Sequence, residues 1–162
     1  MPKLTQGDIF DAAKRSQLAV VFGHIGFNLM SVNWRRFADQ TRELSSISDP
    51  FLKAPQQPIA WGDGRWLWMV STGETGGLTA VEHEKALGEA IAWAIQHGIS
   101  SIVTNGAGDT SSEMQSKRAR VAWLIAYASE VEASHGITIE LVSLSDVYLA
   151  NRCVLECGLD PE

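Results

Sequence analysis

The chain has 162 residues, 45% of them hydrophobic and 20% charged, which suits one folded domain over 1–162 with a sizeable core. Its formal net charge of −6 argues against a broad nucleic-acid-binding face, because neutralising phosphates takes clustered Lys and Arg. No apolar run reaches the roughly 18 residues that cross a bilayer, and Met1 to Asp8 lacks the apolar core of a secretory signal, so a soluble, cytoplasmic protein without a membrane partner is expected.

Leu18-Ala19-Val20-Val21-Phe22 is a continuous apolar run that reads as a buried strand, ending in the turn Gly23-His24-Ile25-Gly26-Phe27-Asn28. Apolar residues near helical spacing predict a helix from Leu29 to about Leu44. The segment from Ser45 to Pro58, with Pro50, Pro55 and several serines, reads as a loop. Ile59-Ala60-Trp61, Gly62-Asp63-Gly64 and Trp66-Leu67-Trp68-Met69-Val70 have the shape of a β-hairpin, its Asp-Gly pair supplying the positive φ of a tight turn. Trp61, Trp66 and Trp68 are expected to be aromatic cross-strand neighbours within it.

A glycine-rich loop from Ser71 to Leu78 follows. Thr79-Ala80-Val81-Glu82 then fits a capping box, in which the Thr hydroxyl and the Glu carboxylate satisfy first-turn N–H groups. The helix it opens carries Leu87, Ala90, Ile91, Ala94 and Ile95 on one face and stops at His97-Gly98. Ile99 to Thr104 is the next strand, and Asn105-Gly106-Ala107-Gly108-Asp109 the loop after it. Thr110-Ser111-Ser112-Glu113 is a second capping box. Its helix runs to about Ser134 with Val121, Leu124, Ile125, Ala128 and Val131 inward, and Gly136 ends it. Ile137 to Val142 continues into Asp146 as a final strand, and Val147 to Leu155 forms a short closing helix. The alternation predicts an α/β domain, with strands 18–22, 101–104 and 138–142 in one sheet and helices 79–97 and 113–134 packed against it.

Two loops carry candidate chemistry. Strand, then Asn105-Gly106-Ala107-Gly108-Asp109-Thr110-Ser111, then helix brings glycines that admit a close ligand to the unpaired N–H groups and positive dipole end of a helix, a combination that favours phosphate. The same residues also suit a plain tight strand–helix connection. The loop lacks the third glycine of a dinucleotide fingerprint and the Gly-Lys-[Ser/Thr] of a P-loop. The Gly23 to Asn28 turn also follows a buried strand, and in doubly wound sheets such loops converge where ligands bind. An imidazole there, His24, is suited to acid–base work near neutral pH or to a structural role. His83, His97 and His135 read as surface residues. No HExxH or Cys/His cluster suggests a metal. Cys153 and Cys157 read as two reduced thiols, and no cofactor is expected.

The order of these pieces, over roughly Leu4 to Asp146, resembles a macro domain, an ADP-ribose-binding α/β/α fold. Leu4-Thr5-Gln6-Gly7-Asp8-Ile9 resembles the early G-D-I element, whose Asp contacts adenine in that family. Leu18 to Asn28 resembles the following strand and its ribose-side loop, with Gly23 to Asn28 in place of the usual N-A-A-N or N-T-V-G. The hairpin is similar to one in the branch that includes DNA-de-ADP-ribosylating antitoxins. Ser101 to Gly108 resembles the strand and phosphate loop, where the family more often has S-I-A-x-P-x-L-G-x-G, and Ile139 to Asp146 the final strand.

The resemblance implies a three-layer α/β/α domain with a central mixed sheet. It implies a nucleotide ligand such as ADP-ribose, held by Asp8 and Ile9 at adenine, by Asn105, Gly106, Ala107, Gly108, Thr110 and Ser111 at the diphosphate, and by Gly23, Gly26 and Asn28 at the distal ribose. If an ADP-ribosyl linkage is hydrolysed, His24 is the candidate proton-transfer group, with Asp109 as its partner. The antitoxin branch's catalytic Lys has no counterpart in the Gly23 to Asn28 loop, which keeps open a non-enzymatic protein that sequesters a nucleotide signal or blocks a protein partner. A Rossmann-like enzyme is a third alternative, although its acidic residue would have to be Glu43, inside the helix expected there.

Overall fold

The structure, a computed structural model, describes residues 2–23, 58–62, 64–71, 80–105 and 114–143. In chain order the elements are β1 (Lys3–Gln6), α1 (Ile9–Ala13), β2 (Leu18–Gly23), β3 (Ile59–Gly62), β4 (Arg65–Ser71), α2 (Ala80–Gln96), β5 (Ser101–Thr104), α3 (Met114–His135) and β6 (Thr138–Ser143). The strands form one six-stranded sheet in the order β1-β6-β5-β2-β4-β3. Every neighbouring pair is parallel except β3 with β4, so the sheet is mixed.

β2 is apolar at consecutive positions because both faces of this inner strand are covered. Leu18, Val20 and Phe22 join the larger core cluster, while Ala19 and Val21 join the smaller one on the opposite face. Two long helices cover the first face. α2 contributes Ala86, Leu87, Ala90, Ile91 and Ala94, and α3 contributes Val121, Leu124, Ile125, Ala128 and Val131. The three- and four-residue spacing of each set places it on a single helix stripe. α1 covers the other face, with Ile9, Phe10, Ala12 and Ala13 over Ala19, Val21, Leu67, Val103 and Val142. Helices therefore lie on both sides of the sheet.

Both long helices stop as their sequences predict. After α2, Gly98 has φ 67°, and Gly98 N–H and Ile99 N–H donate to Ile95 O (3.4 Å) and Ala94 O (2.9 Å). This is a Schellman cap, which the left-handed glycine makes possible. After α3, Gly136 also has φ 67°, and its N–H donates to Glu132 O at 3.0 Å.

The hairpin is present, but its tryptophans do not pair across it. Ala60 stands opposite Trp66, and Ile59 opposite Leu67. Side chains alternate along a strand, so Trp61 lies on the face opposite to Trp66 and Trp68. Trp61 packs beside Phe10, ring centroids 6.2 Å apart, with the Arg65 guanidinium 4.6 Å over its ring. Trp66 and Trp68 instead meet Trp93 of α2, at 5.4 and 6.3 Å. The indoles anchor opposite layers, each to the helix on its own side.

The structure also adds elements and removes one alternative. β1 and α1, which the apolar pattern did not mark, form the first edge strand and the second helical layer. The last strand reaches Ser143, and its expected continuation to Asp146 lies outside the described residues. The strand order also differs from the dinucleotide-binding order 3-2-1-4-5-6, which removes the Rossmann-like alternative. The expected helices at 29–44 and 147–155, the loop at 45–58, Thr79 and the second capping box lie outside the described residues, apart from Pro58.

Candidate functional site at the carboxyl ends of the strands

Parallel pairing brings the carboxyl ends of five strands to one edge of the sheet. β2 and β4 end together, with Gly23 opposite Ser71; β5 ends at Thr104, and β1 and β6 end with Gln6 opposite Ser143. Beyond β1, Gly7 N–H donates to Ser143 O at 2.8 Å, extending the β1–β6 pairing to the residue before Asp8. Asp8 and Ile9, Asn105 and Gly23 therefore share this edge, at the ends of β1, β5 and β2. With β6 between β1 and β5, they span three strand spacings, about 14 Å.

Asp8 is the N-cap of α1. Its backbone is extended (φ −93°, ψ 128°), and its Oδ1 accepts the Phe10 N–H at 2.9 Å. An ionised carboxylate offers about four lone-pair sites, so capping is compatible with a ligand contact at the same side chain. The Ile9 side chain is buried in the smaller core cluster, which leaves its backbone as the group to face a ligand.

Asn105 is buried, and its amide reads the backbone of β2. Oδ1 accepts Phe22 N–H at 2.8 Å, and Nδ2 donates to Phe22 O at 3.0 Å. The β2–β5 ladder itself stops at Val20 opposite Thr104. The side chain thus imitates one more peptide group and carries the pairing two residues further along β2. This is a clasp at the mouth of the β5–α3 connection.

His83 departs from its expected surface position. It is 3% exposed, and its ring stacks on that of Phe22, with centroids 4.3 Å apart and 19° between planes. The signal was in the sequence: His83 precedes Ala86 and Leu87 by three and four residues, on the same inward stripe as Ala90 and Ala94. His97 and His135 are exposed as expected, His97 stacking on Trp93 at 4.3 Å. The remaining candidates, His24, Gly26, Asn28, Gly106, Ala107, Gly108, Asp109, Thr110 and Ser111, lie outside the described residues.

Two open clefts lie elsewhere. One, of about 320 Å³, sits at the amino ends of the strands and is lined by Lys3, Arg15, Ser101, Thr138 and Glu140 among others. The other, of about 390 Å³, runs between α2 and α3 past Glu84, Ile95, Tyr127 and Glu130. Burial, and then the carboxylates of Glu84 and Glu130, push the Tyr127 hydroxyl above its ordinary pKa. Among the described residues, no group of three or more His, Cys, Asp or Glu side chains could hold a metal ion, and no helix is long and apolar enough to cross a membrane.

A mixed six-stranded sheet in this order, with helices on both sides, is the fold of a macrodomain. Solved structures bear this out. The macrodomain of Thermus aquaticus DarG is similar at a TM-score of 0.60 and 13% identity, over 88% of this chain and 98% of that one. The macrodomain of Mycobacterium tuberculosis DarG is similar at a TM-score of 0.63 and 10% identity, over 90% of this chain and 99% of that one. No family model matches the sequence, and no curated protein matches it.

Proposed function

We propose that the protein binds ADP-ribose, or a related nucleotide derivative, at the carboxyl ends of its strands. The observation that carries this is the convergence of Asp8 with Ile9, Asn105 and Gly23 on one edge of a macrodomain-type sheet. These positions are distant in sequence, and they are the ones that the resemblance assigned to adenine, diphosphate and distal ribose. Asp8 and the Ile9 backbone would meet adenine. The diphosphate would lie along Gly106 to Ser111, where glycines admit it to backbone N–H groups ahead of α3. Gly23, Gly26 and Asn28 would frame the distal ribose.

Hydrolysis of an ADP-ribosyl linkage extends the same proposal. His24, directly after β2, would transfer the proton, with Asp109 as its partner. The absence of a lysine counterpart in the Gly23 to Asn28 loop favours a second reading, a non-enzymatic protein that sequesters a nucleotide or blocks a partner. Turnover of an ADP-ribosylated substrate separates the two. Loss of a general acid or base costs on the order of 10²–10⁴ in rate, so His24→Ala is expected to cut turnover by at least the lower figure with affinity retained.

A thermal-shift series with ADP-ribose, AMP, NAD and cyclic nucleotides tests binding. Ligand at about 100 times its Kd stabilises a one-site protein by about 2.7 kcal/mol. ADP-ribose is expected to give a larger shift than AMP, and Gly108→Val is expected to abolish the difference. No shift with any of the four removes the proposal.

A further inference from the structure

Phe22 is the last apolar residue of β2 before the chain leaves the sheet, and it is held from two directions. Asn105 takes both of its backbone polar groups. His83, three residues into α2, lies flat on its ring at 4.3 Å. Neither contact is at the surface: His83 and Asn105 are 3% and 8% exposed, and Phe22 is 4% exposed. Three elements are knitted here, the ends of β2 and β5 and the first turn of α2. The chain enters or leaves the sheet edge at each of them.

We infer that His83 is a positioning residue of the nucleotide site, acting through Phe22 on the direction in which the backbone leaves β2 at Gly23. An aliphatic side chain at position 83 would fill the space, but it would not hold the phenyl plane. The flat stack fixes that plane, while the Asn105 amide fixes the peptide groups on either side of the Phe22 Cα. Together they hold the end of β2 at both its ring and its backbone. On its other side, Gly23 is paired with Ser71 of β4. The inference rests on the proposed function for the identity of the ligand, but not for the mechanical claim, which has its own readout.

The test uses the full chain with His83→Ala, His83→Leu and His83→Phe. Backbone amide exchange at Phe22 and Gly23 is followed by NMR, and ADP-ribose affinity by calorimetry. Losing an aromatic stack is expected to speed exchange at Phe22 and Gly23, and to weaken ADP-ribose, by about tenfold in the Ala and Leu variants. Exchange at Leu18 and Val20 is expected to stay near wild type. His83→Phe keeps the flat ring and is expected to restore both readouts. Wild-type exchange and affinity in a folded His83→Ala or His83→Leu would overturn the inference. So would a folded His83→Phe as weak as His83→Leu, since the flat ring would then not be what positions Phe22. If the wild type binds no ADP-ribose, the proposed function fails, while the exchange measurements still decide the role of His83.

Discussion

At the amino ends of the strands, one glutamine and a few hydroxyls tie four elements together. Gln17 Oε1 accepts the Ser100 N–H at 2.7 Å and the Ser100 hydroxyl at 3.0 Å. Gln17 N–H donates to Ser101 Oγ, and Gln17 O accepts the Trp66 N–H. Ser100 O in turn accepts both the N–H and the hydroxyl of Thr138. At the carboxyl ends, by contrast, the Asn105–Phe22 clasp is buried rather than wet. The chain path differs in the same sense. Between described elements, the amino-end connections are 14–17, 63–64, 97–100 and 136–137, whereas the carboxyl-end connections are 7–8, 24–58, 72–79 and 105–113.

The contrast separates two jobs. Exposed, overlapping hydrogen bonds are individually cheap to lose, because water replaces them. The amino edge is therefore robust, and its short connections leave little chain with which to build a site. At the other edge three of the four connections are long enough to surround a ligand. Water has no access to the buried clasp there, so its loss is expensive.

The largest effect expected from this contrast is that of Asn105→Ala, which leaves the buried N–H and C=O of Phe22 without the clasp. The cost is about 2–6 kcal/mol, from roughly 1–3 for each of the two buried groups left unsatisfied. Urea titration should show a lower midpoint with an unchanged slope. A loss below about 1 kcal/mol would mean that the two ends are not held differently.

Arg15→Met probes the amino end at its most buried charge. Glu140, 7% exposed, accepts from Arg15 at 2.9 Å and from the Thr5 hydroxyl at 2.8 Å, with Lys3 at 3.7 Å. Arg15 itself is half-exposed, and two partners remain, so the cost should fall below that of a fully buried pair, at about 1–2 kcal/mol. ADP-ribose affinity should not change. Loss of affinity in this variant would place part of the site at the amino ends.

The smallest effect belongs to Tyr127, on the outer helical layer and at neither end. Its folded pKa is raised, chiefly by burial and then by Glu84 and Glu130. The stability it contributes is therefore complete below the unfolded value of about 10 and is lost as pH rises through the higher folded value. Tyr127→Phe should flatten the alkaline side of the stability profile and leave neutral pH unaffected. Equal alkaline slopes in the two proteins would contradict the shift.

Much of the fold was legible where one residue type had one physical use. The apolar run Leu18 to Phe22 could only be a strand covered on both faces, and Gly98 and Gly136 marked helix ends because left-handed φ suits glycine. β1 escaped notice because four residues of an edge strand, Lys-Leu-Thr-Gln, give no period to read. The tryptophans misled because their clustering in sequence says nothing of the register that sends Trp61 to the opposite face. The family resemblance implied a central mixed sheet, but the order β1-β6-β5-β2-β4-β3 was not legible, since local patterns do not encode which strands become neighbours. At the site, Asp8 could be suspected from its Gly-Asp-Ile setting, and Asn105 from its place after a strand. The clasp on Phe22 could not, because it joins residues that meet only after the sheet has formed.

Calorimetric titration of ADP-ribose into the wild type, Gln17→Ala and Gly108→Val tests most directly whether the carboxyl ends form the binding site. One-to-one binding is expected in the wild type, affinity within about threefold in Gln17→Ala, and a loss of at least about tenfold in Gly108→Val, the worth of about 1.4 kcal/mol. No binding by the folded wild type, or equal affinity in folded Gly108→Val, would contradict it.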